Sequence, residues 1–162
     1  MAVTVPPGLR PLMTAAPQQG RVEQIGTRPV RHGAIVGRTE WDLTDREQDH
    51  GNKTGKRAVT LIQAEHVAAI TALSGAELDA LDLRRNLIVS GVNLESLRQH
   101  GRFAVGDVVL EGTVECDPCN QMEDLLGPGG LAAMMGMGGI CARIVTPGVV
   151  RVGDVVRRLP AE

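Results

Sequence analysis

Two stretches of this chain repeat one local pattern: Phe103-Ala104-Val105-Gly106-Asp107-Val108-Val109-Leu110 and Val149-Val150-Arg151-Val152-Gly153-Asp154-Val155-Val156. In each, apolar and mostly β-branched residues flank a Gly-Asp pair, and glycine supplies the positive φ that a tight turn between two strands requires. The expectation is two β-hairpins. The other apolar segments are also short, and Val22–Ile25, Gly33–Val36, Ala58–Ile62, Leu83–Val89, Gly112–Glu115 and Cys141–Val145 all read as strands. Helical spacing takes over only from Gln63 to Leu73, with Val67, Ile70 and Leu73 on one side and Ser74-Gly75 as the stop. Shorter helical turns are expected at Glu77–Leu81, at Asn93–Leu97 with Asn93 as N-cap, and at Asn120–Leu126. Many short strands and few short helices predict a mainly β domain, barrel-like, with helices on its rim.

At 162 residues the chain has room for one domain of typical size, about 150 residues, and an arm. Four of the nine prolines fall in Met1–Arg21, which has no sustained apolar period. Residues 1–20 therefore read as a flexible proline-rich arm and 21–162 as the folded domain. Trp41 and Phe103 are the only aromatic residues, which excludes aromatic base-stacking platforms, and the absence of tyrosine excludes tyrosine acid chemistry. A net charge of -2 lacks the positive field that phosphate-backbone binding needs, so no nucleic-acid partner is expected. No apolar run reaches the length of a signal peptide or a membrane span, and three cysteines make no disulfide framework. The expectation is a cytoplasmic protein with free thiols and no membrane partner.

Chemistry concentrates in Cys116-Asp117-Pro118-Cys119, where a β-branched strand runs into a helical pattern. A thiol just ahead of a helix faces unpaired N–H groups that favour thiolate. Four readings are open for this segment. Its cysteines could be small buried hydrophobes, a dithiol–disulfide pair, or two ligands of a zinc site with Cys141 as the third thiolate. Alternatively one thiolate acts alone on a soft metal or on sulfur. Arg84-Arg85-Asn86 and Gly55-Lys56-Arg57 set cationic groups beside strand ends, a pattern suited to a small anionic ligand or to plain exposed charge. The polar stretch Thr39–Thr54 reads as a long surface loop, and His50 within it is a candidate acid or base. Gly127-Pro128-Gly129-Gly130 and Gly136-Met137-Gly138-Gly139 lack both phosphate-loop endings and read as a mobile lid or close-approach loop. Met134, Met135 and Met137 read as gap-filling apolar residues.

The order of these segments is more specific than any one of them. Asp49-His50-Gly51, then Gly55 to Ile62, then Leu83 to Val92, then Cys116-Asp117-Pro118-Cys119, then Gly138 to Val145, then Val152-Gly153-Asp154-Val155 resembles the MOSC domain, named for the C-terminal domain of molybdenum cofactor sulfurase. The resemblance covers about Arg21 to Leu159. It implies a MOSC-type β-barrel-like domain with a pocket for molybdenum cofactor (molybdopterin), whose pterin carries a phosphate and whose metal takes a protein thiolate. The family's cysteine follows a proline, which matches Cys119 rather than Cys116, and so implies Cys119 as both metal ligand and catalytic residue. Lys56, Arg57, Arg84, Arg85 and Asn86 match its basic motifs and are expected at the cofactor's phosphate. Relatives of this kind reduce N-hydroxylated compounds or carry sulfur as a persulfide. No stretch of the chain resembles the sulfurase's desulfurase module or the extra N-terminal β domain of the reducing relatives. The resemblance therefore implies a small-molecule substrate and a separate partner, either an electron-donating reductase or a cysteine desulfurase.

Overall fold

The computed structural model describes residues 5–14, 18–45, 47–50 and 55–160. Parts of the expected arm (1–4 and 15–17) and of the polar loop's turn signals (51–54) lie outside the described residues. Ten strands are present among those described: β1 (Gln19–Thr27), β2 (Val36–Arg38), β3 (Glu40–Asp42), β4 (Val59–Gln63), β5 (Leu87–Ser90), β6 (Arg102–Val105), β7 (Val108–Glu115), β8 (Ile140–Thr146), β9 (Val149–Arg151) and β10 (Val155–Arg158). Seven of them close a barrel in the order β1-β10-β6-β7-β8-β4-β5, with β5 returning to β1. The mainly β, barrel-like expectation is met. Closure leaves no free edge within the ring, and β2 lengthens one side by pairing with the end of β1.

All ring pairings are antiparallel except β4 with β5, which run parallel. A parallel pair needs a crossover, and α1 (Ala64–Ser74) supplies it. Gly75 ends α1 in the left-handed conformation, as the Ser74-Gly75 signal predicts. The crossover explains why β4 and β5 are apolar on both faces. Leu61, Leu87 and Val89 point into the barrel core beside Trp41 and Phe103, which are both fully buried. Ile62 and Ile88 point outward, where Val67 and Ile70 of α1, Leu83, Met122 and Leu126 of α2 (Asn120–Leu126), and Met134 form a second core.

Several expected elements change. Gly106-Asp107 makes the first hairpin, pairing Val105 with Val108. Gly153-Asp154 does not make the second: β9 pairs with β3, while β10 pairs with β1 and β6. The backbone of this turn is claimed by β1, since Gly153 N–H donates to the Val22 carbonyl (2.8 Å) and Val22 N–H to that of Asp154 (2.9 Å). The strand expected over Leu83–Val89 begins only at Leu87, because Ala80–Leu83 forms a 3-10 turn capped by Asp79 and Arg84 is left-handed. The strand expected over Gly33–Val36 shifts to Val36–Arg38, the residues that reach β1. In the arm, Pro7–Thr14 forms a 3-10 helix. The glycine-rich segment is not a bare loop, for it holds α3 (Gly130–Met134) with Met134 fully buried. Its second half is a close approach, because a Cβ added at Gly139 would lie 1.9 Å from the Leu61 carbonyl oxygen. Among the described residues no helix is long and apolar enough to cross a membrane.

Glu111, in β7, is an electrostatic tie of the barrel wall. Its side chain is 8% exposed and accepts hydrogen bonds from Arg143 Nε (3.1 Å) and Nη2 (3.0 Å) and Arg102 Nε (3.4 Å), with His100 Nδ1 at 3.2 Å. The Arg143 bonds first, and then those of His100 and Arg102, outweigh burial and hold the carboxyl at about 2. Because the folded value lies below the ordinary 4.5, this contribution to stability is complete above that pH and is lost as pH falls toward 2. Glu111→Gln is expected to lower Tm at neutral pH and to flatten the fall of Tm between pH 5 and 2, as read by thermal melts across that range.

Candidate functional site

A cavity of about 570 Å³ opens among Arg28, Arg31, His32, His50, Arg84, Cys119, Asn120 and Gln121. Its wall carries three guanidiniums, two imidazoles and one thiol, with no carboxylate among the lining residues. Four separate segments build it. Arg28 follows directly on the last residue of β1, and buried Asp49 fixes it there. The Arg28 N–H donates to Asp49 Oδ1 (2.7 Å), the guanidinium Nε lies 3.6 Å from the same oxygen, and the His50 N–H donates back to the Arg28 carbonyl (2.8 Å). Asp49 thus locks the chain carrying His50 against the chain carrying Arg28. Asn86 extends the lock, donating from Nδ2 to the Gly26 carbonyl (3.0 Å) and lying 3.5 Å from Asp49 Oδ1.

Cys119 stands just ahead of α2, exposed and with no capping bond from its side chain. Its carbonyl accepts the Met122 N–H at 2.8 Å, so the backbone beneath the thiol is held. Met122 and Leu126, four residues apart on one helix face, anchor α2 in the outer core.

Of the residues expected from sequence, Cys119, Arg84 and His50 line the cavity together. Lys56, Arg57, Arg85 and Asn86 are not in its lining. Arg85 is 6% exposed, and its guanidinium donates to the carbonyls of Leu83 (2.7 Å), Gly138 (2.9 Å) and Cys116 (3.2 Å). It braces the Cys116–Cys119 segment against the start of β8. Asn86 is fully buried, and Oδ1 accepts both the N–H and the hydroxyl of Thr60 (3.1 Å each). Lys56 and Arg57 are exposed; the Lys56 carbonyl takes the Thr113 hydroxyl, and Arg57 Nη1 lies 4.0 Å from Cys141 Sγ. Arg28, Arg31, His32, Asn120 and Gln121 were not singled out from sequence. Arg28-Pro29-Val30-Arg31-His32 carried a usable signal, since it sets three basic side chains within five positions directly behind a strand.

The three cysteines divide. Cys116, half-buried, has buried Cys141 as its hydrogen-bond partner rather than Cys119. That bond and the charges of Arg85, Arg57 and Arg28 outweigh burial and push the Cys116 thiol below the ordinary range. The same bond, burial and the Cys116 charge push Cys141 above it. Among the described residues no three His, Cys, Asp or Glu side chains converge on a metal position, so Cys141 completes no zinc site.

His32 (φ 60°) and Arg84 (φ 64°) both hold left-handed backbone in the cavity wall. Such conformations cost non-glycine residues about 1–2 kcal/mol and cluster where side chains must be aimed. Arg84→Gly removes that strain and one cation together. Its Tm is expected within about 4 °C of wild type, because glycine's looser unfolded chain offsets the relief, while binding of a small anion such as inorganic phosphate is expected to weaken. A large fall in Tm would show that Arg84 supports the fold instead.

A family model described as the MOSC domain matches residues 30–157. No curated protein matches the chain. Among solved structures, the YUAD protein from Bacillus subtilis superposes with a TM-score of 0.73 at 18% identity, covering 91% of this chain and 99% of that one. YiiM from Geobacillus stearothermophilus gives 0.67 at 14% identity, covering 87% and 75%, and YiiM from Escherichia coli gives 0.62 at 13% identity, covering 91% and 71%. At these identities the structures speak for the fold alone, and the family match, spanning most of the chain, makes this protein a member of the MOSC domain family.

Proposed function

We propose that the cavity binds molybdenum cofactor, with Cys119 as thiolate ligand to molybdenum and Arg28, Arg31 and Arg84 around the pterin's phosphate. The observation that carries this reading is an exposed thiol sharing one cavity of about 570 Å³ with three guanidiniums and, among the described lining residues, no carboxylate. The donor set fits the group. A thiolate is the soft donor that such a metal takes, and guanidinium forks match phosphate oxygens. The volume falls within the roughly 300–1,000 Å³ of small-molecule sites. When bound, the cofactor supplies two-electron chemistry at molybdenum, suited to N-hydroxylated and related N–O substrates.

The chain's own residues bind, orient and exchange protons. Asp49 and Asn86 hold Arg28 in place, while Arg85 keeps the Cys116–Cys119 segment from shifting under Cys119. His32 and His50 line the same cavity as Cys119, and imidazole is suited to hand a proton to a substrate's departing oxygen there. Electrons come from a separate reductase. Protein purified from a host that makes molybdenum cofactor is expected to hold about one molybdenum and one pterin per chain, measured by elemental analysis and pterin fluorescence. Empty protein under cofactor-replete expression overturns the reading. The exposed thiol also suits a sulfur carrier, and a persulfide on Cys119 after incubation with a cysteine desulfurase, in protein that takes up no molybdenum, would establish that role instead.

A further inference from the structure

We propose that Cys116 and Cys141 are a peroxide-reactive dithiol that closes to a reversible disulfide, a modification site separate from Cys119. Strand register brings them together. Glu115 of β7 pairs with Ile140 of β8, and the Cys116 N–H donates to the Gly139 carbonyl (2.9 Å), so Cys116 stands opposite Gly139. Gly139 offers no side chain to face. The next residue on that face of β8 is Cys141, the diagonal neighbour of Cys116 across the β7–β8 pairing. Diagonal neighbours have Cα atoms about 7–8 Å apart, against about 4.4–6.8 Å in disulfides, so closure draws the two positions together by about 1 Å. Cys116 lies just past the last residue of β7 and can make that movement, whereas Cys141 sits inside β8 with Thr60 as its pairing partner.

Exposure assigns the roles. Cys141 is 1% exposed and Cys116 half-buried, so peroxide reaches Cys116 first. Arg57 and Arg85 flank the pair: Arg57 Nη1 lies 4.0 Å from Cys141 Sγ, and Arg85 holds the Cys116 carbonyl. Their charges and the Cys141 hydrogen bond favour the Cys116 thiolate, while Cys141 keeps its proton. The Cys116 sulfur attacks one oxygen of hydrogen peroxide, the O–O bond breaks, and the leaving hydroxide takes up the proton that Cys116 had released, giving water and a sulfenic acid. The Cys141 sulfur then attacks that of Cys116. An S–S bond forms, the S–O bond breaks, and hydroxide leaves with the Cys141 proton as a second water. The two sulfurs lose two electrons in all, and the peroxide oxygens gain them.

The test is a disulfide map of the full-length protein, reduced, treated with hydrogen peroxide and alkylated. Endoproteinase Asp-N cuts before Asp117 and Asp124 and so parts all three cysteines. The expected product is a Cys116–Cys141 linked pair with Cys119 alkylated, formed equally in Cys119→Ser and reversed by dithiothreitol. A Cys116–Cys119 link, over-oxidation of Cys116 with no link to Cys141, or no oxidation at either thiol overturns the proposal. Cys141→Ser, where it folds, should leave a Cys116 sulfenic acid that dimedone traps; the wild-type map decides the matter without it. Because the readout is linkage, not metal content, its failure is distinct from failure of the cofactor reading.

Discussion

Cys119→Ser is expected to abolish molybdenum and pterin loading while leaving the fold intact. The two effects separate because of where the residue stands. Its side chain is exposed and caps nothing, so exchanging sulfur for oxygen touches no packed contact. Substitutions at such positions stay within about 0.5 kcal/mol, a Tm shift of no more than roughly 2 °C for a chain of this size. The metal side is expected to fall steeply, since a serine hydroxyl is a far weaker acid than a thiol and offers a hard oxygen in place of a soft thiolate. Molybdenum analysis and a thermal melt on the same preparation check both halves. Cys116→Ser, whose thiol faces Cys141, is expected to keep its molybdenum. Retention of metal by Cys119→Ser would remove Cys119 from the site, and equal losses in both variants would favour a coupled pair of thiols.

Asn86→Ala is expected to be the most destabilising change near the cavity. The side chain is fully buried and makes two bonds to Thr60 and one to Gly26. Truncation removes the partner of the Thr60 N–H and strands the buried Gly26 carbonyl. At about 1–3 kcal/mol for each buried group left without a partner, the loss is about 3 kcal/mol or more, or a Tm lower by roughly 6–12 °C. The damage spreads to the cavity, because Asn86 also steadies the carboxylate that holds Arg28 and thereby His50. Thermal melts of cofactor-free protein distinguish this scaffold role from direct ligand contact. An unchanged Tm with lost loading would return Asn86 to the cofactor's phosphate.

The local elements were legible because their causes are local. The spacing of Val67 and Ile70 with a glycine stop marks α1, although Leu73, expected on the same side, is exposed; Asn93 caps its short turn by accepting the Glu95 N–H, and Gly106-Asp107 turns β6 into β7. The order of short motifs was sufficient to point to the family, and the proline before Cys119 singled out the thiol that the structure leaves exposed. Other features depended on partners far along the chain. The same Gly-Asp pair makes a hairpin at Gly106 but a corner between two sheets at Gly153, because β3 and β1 compete for the flanking strands. Arg84, Arg85 and Asn86 are consecutive in sequence, yet one lines the cavity and two are buried, a division made by the left-handed turn at Arg84 and the start of β5. Arg28, Arg31 and His32 join Cys119 only because strand pairing sets the end of β1 beside the start of β5, where Arg85 holds the segment after β7. The pairing of Cys116 with Cys141 likewise waits on β-sheet register. Sequence by itself determined most of the longer strands, helix α1, the hairpin at Gly106 and which thiol a family motif marks, because those follow from spacing of a few residues; which turns become corners, and which cations and which second thiol surround that motif, was decided by the tertiary structure, because strand pairing and burial join residues that no short-range rule connects.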